Sequence, residues 1–269
     1  MVTSGLIATS GGRSIIARTV AFEKVTIVHR LVWSATKSRA GNELATVREV
    51  EASSVYHRPM DASPDLAAFV LAGGKSTRMG RDKAFVEFEG STLLARALDL
   101  AHSVTSDVWI VGSREKFATF ASVVEDVFCD CGPLAGIHAA LQASQKELNL
   151  ILAVDTPFIS SEFLQYLIGK ARKSPEAQVA VPRADGRPQP LCAIYRREFV
   201  SLAQEALRSG RNKIGGLFDK VETRVIDEAE LEAAGFSPSI FRNLNTQDEL
   251  EAVKLNCGQA VQRSSNLLS

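Results

Sequence analysis

From residue 61 onward, short apolar runs alternate with stretches of helical spacing, and this alternation constrains the fold more than any other feature of the chain. Ala67 to Ala72 reads as an apolar strand, Leu93 to His102 as a helix, and Asp107 to Val111 and Ser122 to Glu125 as strands. Gly136 to Ala143 is a second helix, Leu148 to Val154 the most apolar strand, Phe163 to Arg172 a third helix, and Gln178 to Val181 another strand. Apolar strands separated by helices predict a mostly parallel sheet covered on both faces. The expected fold is a doubly wound α/β domain with ligands at the carboxyl ends of its strands. After residue 183 the pattern is less regular. It gives a strand at Leu191 to Tyr195, a helix from Phe199 to Arg208, a strand at Thr223 to Ile226, and a last helix from Thr246, where Thr246-Gln-Asp-Glu249 forms a capping box.

The first 60 residues have a different character. They hold eight Lys/Arg (Arg13, Arg18, Lys24, Arg30, Lys37, Arg39, Arg48, Arg58) against four acids (Glu23, Glu43, Glu49, Glu51), and are rich in Ser, Thr and Ala. No sustained period appears beyond Val25 to Val28. A transit peptide is poorer in acids, and Gly5 to Ala8 is too short for the apolar core of a secretory signal. The domain division is therefore a disordered extension over residues 1–60 and a single domain over residues 61–269. A sharper expectation is that translation starts at Met60, since Met60-Asp-Ala-Ser-Pro leads directly into the first good strand.

Bulk composition excludes several classes. Lys+Arg and Asp+Glu balance at 31 each, so there is no basic excess to hold nucleic acid or an anionic membrane. No apolar run approaches the length of a membrane span. The cysteines Cys129, Cys131, Cys192 and Cys257 form no CxxC pair, which favours reduced thiols in a cytoplasmic protein.

The first strand runs into Leu71-Ala-Gly-Gly-Lys-Ser-Thr-Arg-Met-Gly80, followed by Arg81-Asp-Lys83. Gly73 and Gly74 let the backbone turn sharply and approach an anion, and loop amides of this kind cradle phosphate oxygens. Lys75, Arg78 and Lys83 add the cations that a triphosphate requires. The loop is not a Walker motif, because Phe69 stands where the earlier glycine is needed, and it does not fit the dinucleotide fingerprint. Asp155 closes the strand Leu148 to Val154, in Ala-Val-Asp-Thr-Pro157, and faces the expected ligand crevice. It can contribute to a magnesium site, which commonly takes one or two carboxylates with substrate phosphates and water. Read in isolation, it is equally a polar cap on a strand end. Asn243 and Asn245 alternate onto one face of an extended segment and present amides that both donate and accept hydrogen bonds. A turn that caps the final helix has the same sequence signature. The histidines His29, His57, His102 and His138 are scattered, and His138 reads as a helix-surface residue.

The stretch Leu71 to Lys83 resembles the signature of nucleotidyltransferases built on a Rossmann-like fold of the nucleotide-diphospho-sugar transferase type. It matches the pattern LAGGxSxRMGxDK of molybdenum cofactor guanylyltransferases. The order Gly132-Pro-Leu-Ala-Gly136, Asp155-Thr-Pro157 and Phe241-Arg-Asn-Leu-Asn-Thr246 extends the resemblance from Ala67 to Val253. The resemblance implies nucleotide binding by Leu71, Ala72, Gly73, Gly74, Lys83, Asp126 and Asp155, with Asp130 competing with Asp126. It implies catalytic roles for Arg78, Lys83 and Asp155, a Mg2+ site on Asp155, and acceptor binding by Asn243 and Asn245. The implied reaction moves GMP from GTP to molybdopterin and releases pyrophosphate, with transient contacts to cofactor-synthesis proteins or acceptor molybdoenzymes. Three positions depart from the family. Gly112 stands where Asn is common at the end of the second strand, Gln189 where His is common, and Gln247 where Pro is usual. A cytidylyltransferase acting on the same cofactor, a non-catalytic carrier and a sugar-1-phosphate nucleotidyltransferase are the competing readings. Gly73-Gly74 and the asparagine motif favour the guanylyl enzyme, and intact Lys83 and Asp155 argue against a decayed site.

Overall fold

The computed structural model describes residues 64–73, 82–128 and 130–244, together with backbone strands between residues 2 and 57. The chain divides into two compact units, Met1–Met60 and Asp61–Ser269. In the first unit, β1 (Val2–Ser10), β2 (Arg13–Phe22), β3 (Val25–Lys37) and β4 (Glu43–Arg48) pair antiparallel in that order, and β5 (Val55–His57) also pairs with β3. The sequence pattern marks only Val25 to Val28 there as extended, and assigns the rest to a tail without regular structure. Runs such as Ser14-Ile-Ile-Ala-Arg-Thr-Val20 are nevertheless rich in the β-branched residues that fit strands.

The second unit is built on an eight-stranded sheet. Its central strands are β6 (Leu66–Leu71), β9 (Val108–Val111), β10 (Ser122–Val124) and β11 (Leu148–Ala153), all parallel in the spatial order β10–β9–β6–β11. A small hairpin, β7 (Glu87–Phe88) and β8 (Ser91–Thr92), precedes α1 (Leu93–His102). Beyond β11 lie β14 (Cys192–Arg196), then β12 (Val179–Ala184), which is flanked by β13 (Arg187–Pro188) and β15 (Thr223–Ile226). Strand β14 is antiparallel to both β11 and β12. The cause is local. Asp185 and Gly186 have φ of 52° and 69°, and this two-residue turn reverses the chain from β12 into β13. With so short a return, the next strand runs antiparallel. The fold is thus doubly wound and mostly parallel, as the pattern predicts, with two reversed strands, β13 and β14.

Alternation along β6 explains the two covering layers. Leu66, Ala68 and Val70 join a core with α1 and α4 (Ser161–Arg172), while Ala67 and Phe69 pack on the opposite face against α3 (Pro133–Ala143) and α5 (Phe199–Arg208). Thr92 Oγ1 caps α1 by accepting from Ala95 N at 3.2 Å, and Ser160 Oγ caps α4 by accepting from Phe163 N at 3.3 Å. The helices α2 (Arg114–Phe117) and α6 (Glu228–Ala233) are short, and the 3-10 turn Pro238–Phe241 places Phe241 edge-on against Phe163. His138 lies inside rather than on the helix surface. It is 1% exposed, its ring meets Phe128 edge-on at 5.1 Å, and desolvation followed by Arg208 pulls its pKa down. Helix α3 is sandwiched by the sheet and α5, so apolar spacing alone could not identify its dry face. Among the described residues, no helix is long and apolar enough to cross a membrane.

Candidate active site

The carboxyl ends of β6, β9 and β11 open into a cleft of about 760 Å³. Its floor forms where β6 meets β9. The amides of Ala72 and Gly73 both donate to the Val111 carbonyl, at 3.0 and 3.2 Å. The Gly73 amide therefore serves the strand junction. A Cβ at Gly73 would meet Gly112 Cα and Val111 O at 3.7 Å, an ordinary contact. Gly112 is the tighter position, because a Cβ there would lie 2.9 Å from Phe117 Cε2. The ring of Phe117 fills the space that a side chain at residue 112 would need, which explains the departure from the common Asn.

Asp82 also lines the cleft. Its Oδ1 accepts from Ala84 N at 3.2 Å and caps the single 3-10 turn Lys83–Phe85. Its Oδ2 pairs with Lys116 Nζ at 2.8 Å, and this hydrogen bond raises the Lys116 pKa. From the same turn, Lys83 Nζ reaches Asp155 Oδ2 at 3.1 Å. Asp155 is presented by the end of β11. Val154 N donates to Leu71 O at 3.2 Å, and Thr156 Oγ1 donates back to Ala153 O at 2.9 Å, closing the turn. The side chains of Lys83 and Asp155 are 27% and 19% exposed, so the pair is shielded yet open to the cleft.

The opposite wall is acidic. Asp126 follows β10, with Glu125 and Asp130 also facing the cleft. Loss of water around the Asp126 carboxyl, then the charges of Asp130 and Glu125, raise its pKa above the ordinary value. Asp130 at φ 58° and Gly132 at φ 71° turn the chain into α3, whose N-terminus has no side-chain cap. Gly132, Pro133 and Gly136 line the cleft, so the positive end of the α3 dipole lies beside it. Gly136 lets α3 sit close to β6, since a Cβ there would already be 3.4 Å from Leu71 Cδ2.

One of the two acceptor candidates, Asn243, adjoins this centre through a backbone bond of its neighbour. Leu244 N donates to the Asp155 carbonyl at 3.0 Å, which sets Asn243 beside the end of β11. Asn243 is exposed. Gln189 is occupied structurally, its Nε2 donating to the Ala184 and Arg187 carbonyls at 3.3 and 3.2 Å. Leu191, which sequence reasoning passed over, lines the cleft while its carbonyl accepts from Ala153 N at 2.8 Å.

Leu71, Ala72, Gly73, Lys83, Asp126 and Asp155 thus line one cleft, although they are scattered over the sequence. Gly74, Arg78 and Asn245 lie outside the described residues, as does the helix expected from Thr246. Sequence reasoning missed Asp82, whose signal was its place directly before Lys83, and it missed Ser113, for which no signal existed. No group of three or more His, Cys, Asp or Glu side chains forms a metal cage among the described residues.

The MobA-like NTP transferase domain pattern matches residues 68–224. The molybdenum cofactor guanylyltransferase of Desulfosudis oleivorans is 34% identical over 195 residues, covering 71% of this chain and 94% of that protein. Among solved structures, molybdopterin-guanine dinucleotide biosynthesis protein A from Archaeoglobus fulgidus is similar with a TM-score of 0.62 and 26% identity, over 72% of this chain and 99% of that one. The 2-C-methyl-D-erythritol 4-phosphate cytidylyltransferase of Thermus thermophilus shares the fold, with a TM-score of 0.51 at 15% identity over 70% of this chain and 97% of that one.

Proposed function

The chain belongs to the MobA-like NTP transferase domain family, and from that membership we propose that it transfers GMP from GTP to molybdopterin and releases pyrophosphate. The observation that carries this reading is the convergence of Lys83, Asp126 and Asp155 on one cleft, in a chain 34% identical to a molybdenum cofactor guanylyltransferase.

A terminal phosphate oxygen of the acceptor attacks the α-phosphorus of GTP in line. The new P–O bond forms as the bond from the α-phosphorus to the bridging oxygen breaks, and pyrophosphate leaves with the electron pair. The protein contributes position and charge rather than a covalent intermediate. Lys83, at 3.1 Å from Asp155, already stands where an ammonium can turn from carboxylate to phosphate oxygens. Arg78 and the Gly74 amide complete the triphosphate contacts. Asp126 orients the nucleoside from the opposite wall, and Asn243 and Asn245 take the pterin. The acceptor phosphate is ionised at neutral pH, so no strong general base is required.

The donor set fits magnesium, which binds through one or two carboxylates and otherwise phosphates and water. Asp155 would hold it, and the ion would supply Lewis-acid stabilisation of the charge on the phosphate oxygens. Free thiols at Cys131 and Cys192 support a cytoplasmic setting. The product there passes through transient contacts with cofactor-synthesis proteins or acceptor molybdoenzymes.

The test is pyrophosphate release with molybdopterin and Mg2+, comparing GTP with CTP, ATP and UTP. Release confined to GTP is expected. Preference for CTP would move the function to the sister cytidylyl enzyme, and no release from folded protein would favour a carrier.

A further inference from the structure

Asp82 has no part in the chemistry above, yet both of its carboxylate oxygens are engaged around Lys83. Oδ1 accepts from Ala84 N at 3.2 Å, so the cap closes over the residue between them. Oδ2 meets Lys116 Nζ at 2.8 Å on α2, the element that follows β9. Helix α2 is itself anchored by Phe117, which is 1% exposed and packs against Gly112. A chain of contacts therefore runs from the β9 end of the cleft through Lys116 and Asp82 to the turn carrying Lys83, whose Nζ stands 3.1 Å from Asp155.

The two links differ in stiffness. The Lys116 side chain is 55% exposed, and an ion pair on so long and solvated a side chain restrains little. The cap joins atoms two residues apart and fixes the turn directly. We propose that Asp82 is a positioning residue: its cap on the turn Lys83–Phe85 aims the Lys83 ammonium at the phosphate end of the cleft, with Lys116 as a weaker tether to the far wall. This rests on the proposed contact between Lys83 and the triphosphate.

Asp82→Ala and Asp82→Ser both delete the charge and release Lys116 equally, but only serine keeps an oxygen that can accept from Ala84 N–H. Calorimetric titration of the full chain with GTP and with guanosine, in Mg2+, separates the two roles. GTP affinity is expected to fall about tenfold or more in Asp82→Ala, because a charge-assisted contact is lost. It returns to within about threefold of wild type in Asp82→Ser, and Lys116→Met, which loses only the tether and keeps the cap, falls no further than Asp82→Ser. Guanosine, which has no phosphate for Lys83 to grip, binds all variants alike. Unchanged GTP affinity in Asp82→Ala would overturn the inference, as would equal losses in the alanine and serine variants or a parallel loss of guanosine. Should Asp82→Ala not fold, Asp82→Gly replaces it, since glycine also lacks the acceptor. Wild-type protein that binds no triphosphate would overturn the proposed function instead.

Discussion

Replacing Asp155 with asparagine removes one charge while preserving shape, and the structure separates its effects on turnover and on stability. The Lys83–Asp155 contact is 3.1 Å. At an effective dielectric constant of about 20, its gross attraction is about 5 kcal/mol. Both groups are partly solvated, however, so most of that attraction is offset by desolvation, and the net contribution to folding is about 1 kcal/mol. For a domain of this size, that lowers the thermal midpoint by roughly 2–4 °C. The backbone carbonyl of residue 155 still accepts from Leu244 N, so the acceptor segment keeps its anchor. Turnover responds differently. Loss of a preorganised charge at the reacting phosphates costs about 100- to 1000-fold in rate, or more where a metal site goes with it. The assays are pyrophosphate release at saturating GTP and thermal unfolding of the same preparation. Asp155→Asn with undiminished turnover would refute the assignment, and so would a fall in turnover matched by wholesale loss of folding.

Gly112→Asn forces a Cβ to within 2.9 Å of the Phe117 ring, so urea unfolding is expected to show a loss of about 1–3 kcal/mol. A second change, Phe117→Ala, relieves the clash, and an unaltered midpoint in Gly112→Asn alone would show that the ring moves freely. Asp126 has a folded pKa above its unfolded value, so its ionisation opposes folding at pH above the folded pKa, and the penalty disappears as pH falls below the unfolded one. Asp126→Asn is therefore expected to melt higher than wild type at pH 7 and alike near pH 3, while binding GTP less well. A chain begun at Met60 is expected to keep full pyrophosphate release, because Asp61–Ser269 forms a compact unit of its own. Loss of pyrophosphate release in that shortened chain would refute its independence.

Six residues of the candidate site were legible in the sequence because the signals for them are local, and all six line one cleft. Leu71 to Gly73 end a strand and Lys83 follows the glycine loop within one short stretch of sequence, and helices such as Leu93–His102 and Phe199–Arg208 follow directly from apolar spacing. What stayed hidden depends on residues distant in the chain. The Lys83–Asp155 contact spans 72 positions, and nothing in either neighbourhood announces the other. The reversal of β14 followed from the turn at Asp185–Gly186, a short-range signal read as irregularity rather than as a hairpin. Gly112 resembled a missing contact because the filling ring belongs to Phe117, and His138 read as a surface residue because α5 covers the side left exposed by an isolated helix.

The bond from Leu244 N to the Asp155 carbonyl has a consequence for redesign. Donor and acceptor specificity look like separable modules, one near the start of the domain and one near its end. Yet Asp155, which the proposed function assigns to the nucleotide, also holds Leu244, next to the proposed acceptor residue Asn243, through its backbone carbonyl. Under that proposal, a loop graft that shifts Leu244 disturbs the end of β11, so a new acceptor has to be selected together with the surroundings of Asp155 rather than added afterwards.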